Sequence, residues 1–499
     1  MKHINKLLLL LFTSVFFVSC DDAINIDQSG DLTPDKFFTS VDDLRDALYG
    51  CYISIPAESA IEFTSIFTDE TAIGLTNGGQ GIDLYSGILN ANDGYASSIW
   101  YGNYRLINLT NRLIEGATTI EVEDALEQEK MDHILAHAHA LRGLAYLQLM
   151  TYFCTDMTDD SALGVMSITE VTGLYFTAPR VSAGEIFQVI NDDFDFAQAN
   201  FSVDADVLND TSTSGESFLN EASVLAFKAR MAAYRGNYTE ALTLSSDAIT
   251  ASGKAITLPS AYGDIWKDTQ VGEVMFKIVR TAATVSDANF YQVWSSANAT
   301  TSGSPFLEVN RALFNLVDSP NDVRRFVIAH PSSVINPDYA NVPLGVYKNT
   351  DVLPVGKYAT SKGINLLGDI KSMRLSELYF IRAEAKVTEG DLIGAAQDVF
   401  AVRGKRVTGS ATPVYNSPQE AWEDILMERR AELAFEGHRY TDLKRLAGKA
   451  NAGVDRDPQD CSAQGFPCTM PIDYKFTMPI PTSELNANPL IRSQQNPNY

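Results

Sequence analysis

Apolar residues along this chain recur mostly at the three-to-four-residue spacing of helices, and that spacing comes and goes. Phe37, Leu44, Ala47, Leu48 and Tyr52 predict a first helix after Pro34, and Ile99–Leu113, Glu123–Phe153 and Ala183–Phe201 predict three more. Residues 56–98 lose the period and carry turn-forming clusters such as Asn77-Gly78-Gly79-Gln80-Gly81, so they read as loops. Residues 256–370 lose it again in a stretch rich in Val, Thr, Tyr, Asn, Ser and Pro. A long irregular insertion between scaffold helices is usually functional.

Two stretches share one design. Glu221–Thr250 reads as helix, a turn at Arg235-Gly236-Asn237-Tyr238, and helix again, with Ala229, Ala241 and Ala248 where paired helices need small residues. Arg374–Val402 repeats it: Glu389-Gly390-Asp391-Leu392 makes the turn, and Ala383 and Ala395 keep the distance of Ala229 and Ala241. These are tetratricopeptide-like hairpins separated by the irregular insertion. Ser417-Pro418-Gln419-Glu420 opens a further helix with an N-cap Ser, a first-turn Pro and a capping-box Glu; it runs through Leu433 and Phe435, and Gly437 ends it.

The N-terminus predicts export. Lys2 and Lys6 precede the apolar run Leu7–Val18, too short to span a bilayer, and Ser19-Cys20 follows. Residues 1–19 read as a signal peptide, and Cys20 as a lipid anchor carrying enough acyl chains for stable membrane attachment. Residues 20–33 read as a polar tether, residues 34–255 as an N-terminal helical region, and residues 371–499 as a C-terminal helical region. The net charge of −25 argues against nucleic acid as a partner. Cys51 and Cys154 sit in apolar helical patterns and read as buried thiols, whereas Cys461 and Cys468 flank a turn-rich loop where an oxidising compartment permits a disulfide.

Three segments resemble the SusD/RagB family of Bacteroidetes outer-membrane nutrient-binding lipoproteins. Met373-Arg-Leu-Ser-Glu-Leu-Tyr-Phe-Ile-Arg-Ala-Glu-Ala385 is similar to one family helix. Met427-Glu-Arg-Arg-Ala-Glu-Leu-Ala-Phe-Glu-Gly-His-Arg-Tyr-Thr-Asp-Leu-Lys-Arg445 is similar to its signature, and Pro479-Ile-Pro481 with Asn488-Pro489 and Gln495–Tyr499 to its terminus. The resemblance implies a mainly α fold of four tetratricopeptide-like hairpins with a large loop-rich ligand-binding insertion. It also implies a non-enzymatic role at the cell surface: capture of a nutrient, oligosaccharide foremost, and delivery to a SusC-like TonB-dependent outer-membrane transporter. An oligopeptide ligand, a surface glycoside hydrolase and a scaffold that binds only proteins are the rival readings.

Candidate chemistry is sparse. The charges of Glu428–Arg445 lie at helical spacings suited to ion pairing rather than acid–base catalysis. His133 and His137 share a helix face as zinc ligands would, but His139 points away and no Glu lies between the pair, so packed histidines are expected and no metal. No motif calls for a cofactor or a structural calcium ion. Sugar capture favours aromatic faces flanked by hydrogen-bonding groups. Tyr85, Phe290, Tyr291, Trp294 and Phe306 stand in irregular segments, Tyr291 and Trp294 close enough for one platform, while Trp100 and Trp266 are expected in the core. The resemblance adds Asn77 as a ligand-binding Asn. Thr68-Asp69-Glu70 resembles the stretch before a stacking Trp in starch-binding members, but Ala72, Ile73 and Leu75 follow here and the Trp is missing.

Overall fold

The computed structural model describes residues 37–202, 215–281, 294, 305–343 and 348–499. Eleven helices of ten residues or more are present among them. They are α1 Val41–Ile53, α2 Glu58–Phe67, α3 Gly94–Ala117, α4 Ala125–Phe153, α5 Ala183–Asn200, α6 Glu221–Tyr234, α7 Tyr238–Ser252, α8 Leu375–Thr388, α9 Leu392–Arg403, α10 Pro418–Glu432 and α11 Arg439–Ala450. Consecutive helices pair as α3/α4, α6/α7, α8/α9 and α10/α11; α7 also packs on α8, and α1 and α5 flank α4. The fold is mainly helical, as expected.

The hairpins form where small residues and left-handed turns coincide. Asn220 caps α6 in a reciprocal box with Ser223. Ala229, Ala241 and Ala248 are fully buried, as are Ala383 and Ala395, so each pair of helices approaches closely. Gly236 and Gly390 turn between the paired helices at φ values of 75° and 83°, a region where a side chain is strained.

Two expectations need correction. Residues 56–98 are not all loop: Glu58–Phe67 is helical and Thr71–Ile73 is a strand (β1). α2 buries Ala60, Ile61 and all of Phe63–Phe67, so it has no polar face to betray a period. The helix opened by Ser417 stops at Glu432, short of the expected end at Gly437, and a separate helix, α11, begins at Arg439. Phe435 (φ 62°) and Gly437 (φ 85°) carry the chain through left-handed geometry between them. Glu420 also serves the start of α10 differently, accepting from the Asn416 amide (2.8 Å) while Ser417 caps.

The insertion is fastened to the helices by short strands. β2 (Val274–Ile278) pairs antiparallel with β4 (Ile370–Arg374), which leads into α8, and β1 pairs antiparallel with β3 (Leu307–Val309), Ala72 opposite Glu308. At the centre lies a buried ionic hub. Arg374 donates to Glu273 (2.8 Å), Glu432 (2.7 Å) and Glu436 (2.7 and 2.8 Å). Arg406 donates to Glu273 (2.7 and 2.8 Å), Glu432 (3.0 Å) and the Thr257 carbonyl (3.0 Å). Lys357 Nζ donates to Glu436 (2.7 Å). Three cations therefore face three carboxylates, which keeps the cluster neutral. Burial alone would raise the Glu432 carboxyl, but Arg406 and Arg374 hold it well below the usual carboxylate range.

Removing one member leaves uncompensated buried charge. Glu432→Gln, which keeps the shape, should lower unfolding free energy by about 3–5 kcal/mol. Urea unfolding measures this, and an unshifted midpoint would show that the hub carries no weight.

Candidate functional site

The candidate ligand surface starts at the Thr68-Asp69-Glu70 turn, which the signature helices hold in place. Arg439 grips the Asp69 carboxylate with two donors at 2.8 Å, and Arg430 approaches it at 3.3 Å. Burial opposes ionisation there, yet the two guanidinium groups hold Asp69 well below the usual carboxylate range. Its neighbour Glu70 behaves oppositely: burial pushes it up to about 8, and it accepts the Phe435 amide at 3.0 Å. Arg456 donates to the carbonyls of Thr68 (2.7 and 2.9 Å) and Tyr85 (2.6 Å).

β1 leaves this anchored turn and delivers the loop 74–81 to the surface. Gly74 N–H donates to the Phe306 carbonyl (2.9 Å), and a side chain at Gly74 would overlap the Pro305 carbonyl, so only glycine permits this approach. Asn77 organises the loop: its amide donates to the carbonyls of Phe306 (3.0 Å) and Gln80 (2.8 Å) and accepts from Gly79 N–H (2.8 Å). Leu75, Thr76, Gly78, Gly79 and Gln80 are exposed, and Phe306 is half-buried. The loop thus offers peptide groups and a carboxamide beside an apolar face.

Asn77 and Phe306 are brought together; Trp294 and Tyr85 do not join them. Trp294 requires correction: it is 1% exposed, donates to Ser65 Oγ at 3.1 Å, and packs between Tyr358 and Phe435. Its indole fills the core and offers no stacking face. Tyr85 is also corrected, being fully buried with its ring under Arg456 at 3.8 Å and its hydroxyl donating to the Asp460 carbonyl. Tyr291 and Cys20 lie outside the described residues. Cys461 and Cys468 are joined as a disulfide with Cα atoms 5.1 Å apart, and Cys51 and Cys154 are buried free thiols.

Tyr339 is an aromatic that the sequence pattern passed over. Half-exposed, it stacks against Arg311 (4.0 Å), just beyond the other end of β3, and its hydroxyl donates to Asp457 (2.8 Å) while accepting from Asn315 (2.9 Å). Its surroundings of Asn and Asp fit sugar chemistry, but a lone Tyr in a polar segment gives no period to notice.

The charges of α10 and α11 are committed to structure. Arg429 bonds Asp442 (2.8 Å), and Arg445 pairs with both Asp442 and Glu384. Among the described residues no group of three or more His, Cys, Asp or Glu is arranged to hold a metal ion. His133 and His137 form part of a hydrogen-bond chain instead. Ser202 N–H donates to His133 Nδ1 (2.8 Å), so His133 carries its proton on Nε2 and donates to His137 Nε2 (3.1 Å). His137 Nδ1–H then donates to the Tyr52 hydroxyl (2.7 Å), which also accepts from Leu219 N–H (3.0 Å). His139 faces Asp193 on α5 (2.7 Å).

Three outcomes follow from this geometry. Trp294→Ala should cost about 3–5 kcal/mol of stability through the cavity it leaves, measurable by chemical denaturation. Asn77→Ala should raise amide exchange across residues 74–81 and leave the midpoint nearly unmoved; unchanged exchange would deny Asn77 its organising role. Burial depresses both His133 and His137 below 6.5, His137 well below. Their contribution is therefore complete above that value and lost as pH falls beneath it, because the unfolded chain takes up the protons. Wild type should lose more stability between about pH 7.5 and about 5.5 than a His133→Gln, His137→Gln variant; equal losses would contradict the chain.

Residues 263–499 match the model of the SusD family. No curated protein matches. Among solved structures, a SusD superfamily protein from Bacteroides thetaiotaomicron superposes with a TM-score of 0.75 at 22% identity, covering 92% of this chain and 100% of the other. A SusD superfamily protein from Bacteroides vulgatus gives 0.72 at 19% identity, covering 93% and 100%. A SusD-like carbohydrate binding protein from the same organism gives 0.71 at 20% identity, covering 91% and 97%. At these identities the structures establish the shared fold. Residues 263–499 thus carry the sequence pattern of the SusD family, and the chain shares its fold with solved SusD superfamily structures.

Proposed function

We propose that this protein binds an oligosaccharide at a bacterial cell surface and delivers it to a TonB-dependent outer-membrane transporter. The observation that carries the reading is the family match over residues 263–499, joined to a solved relative described as a SusD-like carbohydrate binding protein. The basic start, apolar run and Cys20 support lipid attachment to the outer membrane, facing outward. No helix among the described residues is long and apolar enough to cross a membrane, so attachment rests on Cys20.

The ligand lies on the loop 74–81 and the ring of Phe306, where exposed peptide groups and the Gln80 amide meet an apolar face. The role is binding without transformation. The most charge-rich segment of the chain is spent on buried ion pairs, and nothing in the loop supplies an acid–base pair.

The transporter needs a contact surface, and one loop offers it. Leu174 and Tyr175 are 90% and 91% exposed, with Phe176 beside them in a turn closed by a hydrogen bond from Phe176 N–H to the Gly173 carbonyl. Adjacent exposed apolar side chains at a loop tip mark an interaction site.

Glycan arrays run beside peptide mixtures test the ligand class. The expected result is glycan binding that weakens by about 1–3 kcal/mol in Phe306→Ala. Peptide binding alone, or release of reducing ends, would replace the proposal. If Tyr339→Ala abolishes binding and Phe306→Ala does not, the sugar sits at the far end of β3. Leu174→Ser with Tyr175→Ser should abolish co-purification with the outer-membrane transporter, without altering glycan affinity.

A further inference from the structure

The β1–β3 ribbon that carries the loop 74–81 is built around two buried glutamates. Glu70 stands just before β1, and Glu308 lies in the middle of β3, opposite Ala72. Neither is more than 1% exposed. Each carboxyl spends one oxygen on a backbone amide: Glu70 Oε1 accepts from Phe435 N–H and Glu308 Oε2 from Leu353 N–H, both at 3.0 Å. The second oxygen of each, Glu70 Oε2 and Glu308 Oε1, is buried without a hydrogen-bond partner. A carboxylate bared in this way is far costlier than the uncharged acid.

The cations nearby are already committed to other carboxylates. Around Glu70, Arg439 and Arg430 face Asp69, and Lys357 donates to Glu436. The phenols of Tyr152 and Tyr358 also face Glu70, and burial keeps both uncharged. Around Glu308, Lys348 Nζ donates to Asp460 at 2.7 Å and stays 3.8 Å from Glu308 Oε2, while Arg311 donates to Asp351 at 2.9 Å. Two cations thus meet two other carboxylates among the described residues, and an ionised Glu308 would be surplus.

We propose that Glu70 and Glu308 are neutral carboxylic acids in the folded protein and act as positioning residues, tightening the ribbon and its loop as pH falls. Burial, the largest influence on each, raises Glu70 to about 8 and Glu308 to about 7 from an ordinary 4.5. When the ribbon opens to water, both acids return to that ordinary value. Opening therefore releases protons from about pH 4.5 upward, and for each acid it grows tenfold per pH unit until the folded value is reached. An ion-paired glutamate would do the reverse, gaining strength over the same range. The link to ligand capture rests on the reading of the loop 74–81 as the ligand surface; the protonation of the two acids does not.

Full-length protein carrying glutamate labelled with ¹³C at Cδ tests this by nuclear magnetic resonance. The signal that vanishes in Glu70→Gln and the one that vanishes in Glu308→Gln should both titrate well above the ordinary carboxyl range. Glutamine copies the shape of the neutral acid, so each variant should match wild type near about pH 4.5 and show a higher urea midpoint at about pH 7.5. Between about pH 5 and about pH 7.5, wild-type protection of the β1 and β3 amides, corrected for chemical exchange rate, should fall by up to roughly a hundredfold for each acid. In the doubly substituted protein it should stay level, and glycan affinity should weaken over this range in wild type alone. Ordinary titration of either carboxyl, or wild-type protection indifferent to pH, would overturn the proposal. A lowered midpoint for Glu308→Gln at about pH 7.5 would make Glu308 an ionised partner of Lys348 and overturn it too. Titrating carboxyls and loosening amides with an affinity indifferent to pH would instead remove the loop as the ligand surface and leave the positioning role standing.

Discussion

The frame depends on a neutral set of six charges sealed inside it. Arg374, Arg406 and Lys357 face Glu273, Glu432 and Glu436, and these residues come from the insertion, the strand leading into α8, the turn after α9 and the end of α10. Desolvating so many ions is costly unless each finds several partners. Here each guanidinium bridges at least two carboxylates, so the arrangement is satisfied only when all the elements are in place together. A purely apolar junction could slide; this one fixes the insertion against the last two hairpins in a single register.

The same segment acts on the candidate ligand surface at one remove. Arg439 and Arg430 reach from α11 and α10 to Asp69, and Phe435, in its left-handed conformation, donates its amide to Glu70. These contacts set the stem from which β1 carries the exposed loop. A stretch that superficially suggests acid–base chemistry therefore serves to position a loop more than sixty residues from the N-terminus. Its charges are too thoroughly paired to reach a ligand.

Legibility followed one-sidedness. The α6/α7 and α8/α9 hairpins could be read because alanines repeat on one face and a glycine turn divides each pair. α2 could not, because both of its faces are buried and its composition mimics any apolar run. The break after Glu432 was hidden because Phe435 occupies a left-handed position without being glycine, and residue type alone gives no warning of that. Trp294 was misplaced for a related reason: an aromatic in a segment without periodicity looks exposed, although Tyr358 and Phe435, far off in sequence, close over it. Asn77 and Phe306 meet only through the β1–β3 pairing, a contact across 229 residues that no local pattern encodes.

The loop 74–81 is held almost wholly at its base. Leu75, Gly78, Gly79 and Gln80 are exposed, while Asp69, Gly74 and the strand pairing absorb the demands of folding. Substitutions at Leu75 or Gln80 can then accumulate without disturbing the hub, so the exposed surface of the loop can change while the architecture stands still. Solved structures at about one-fifth identity share this fold.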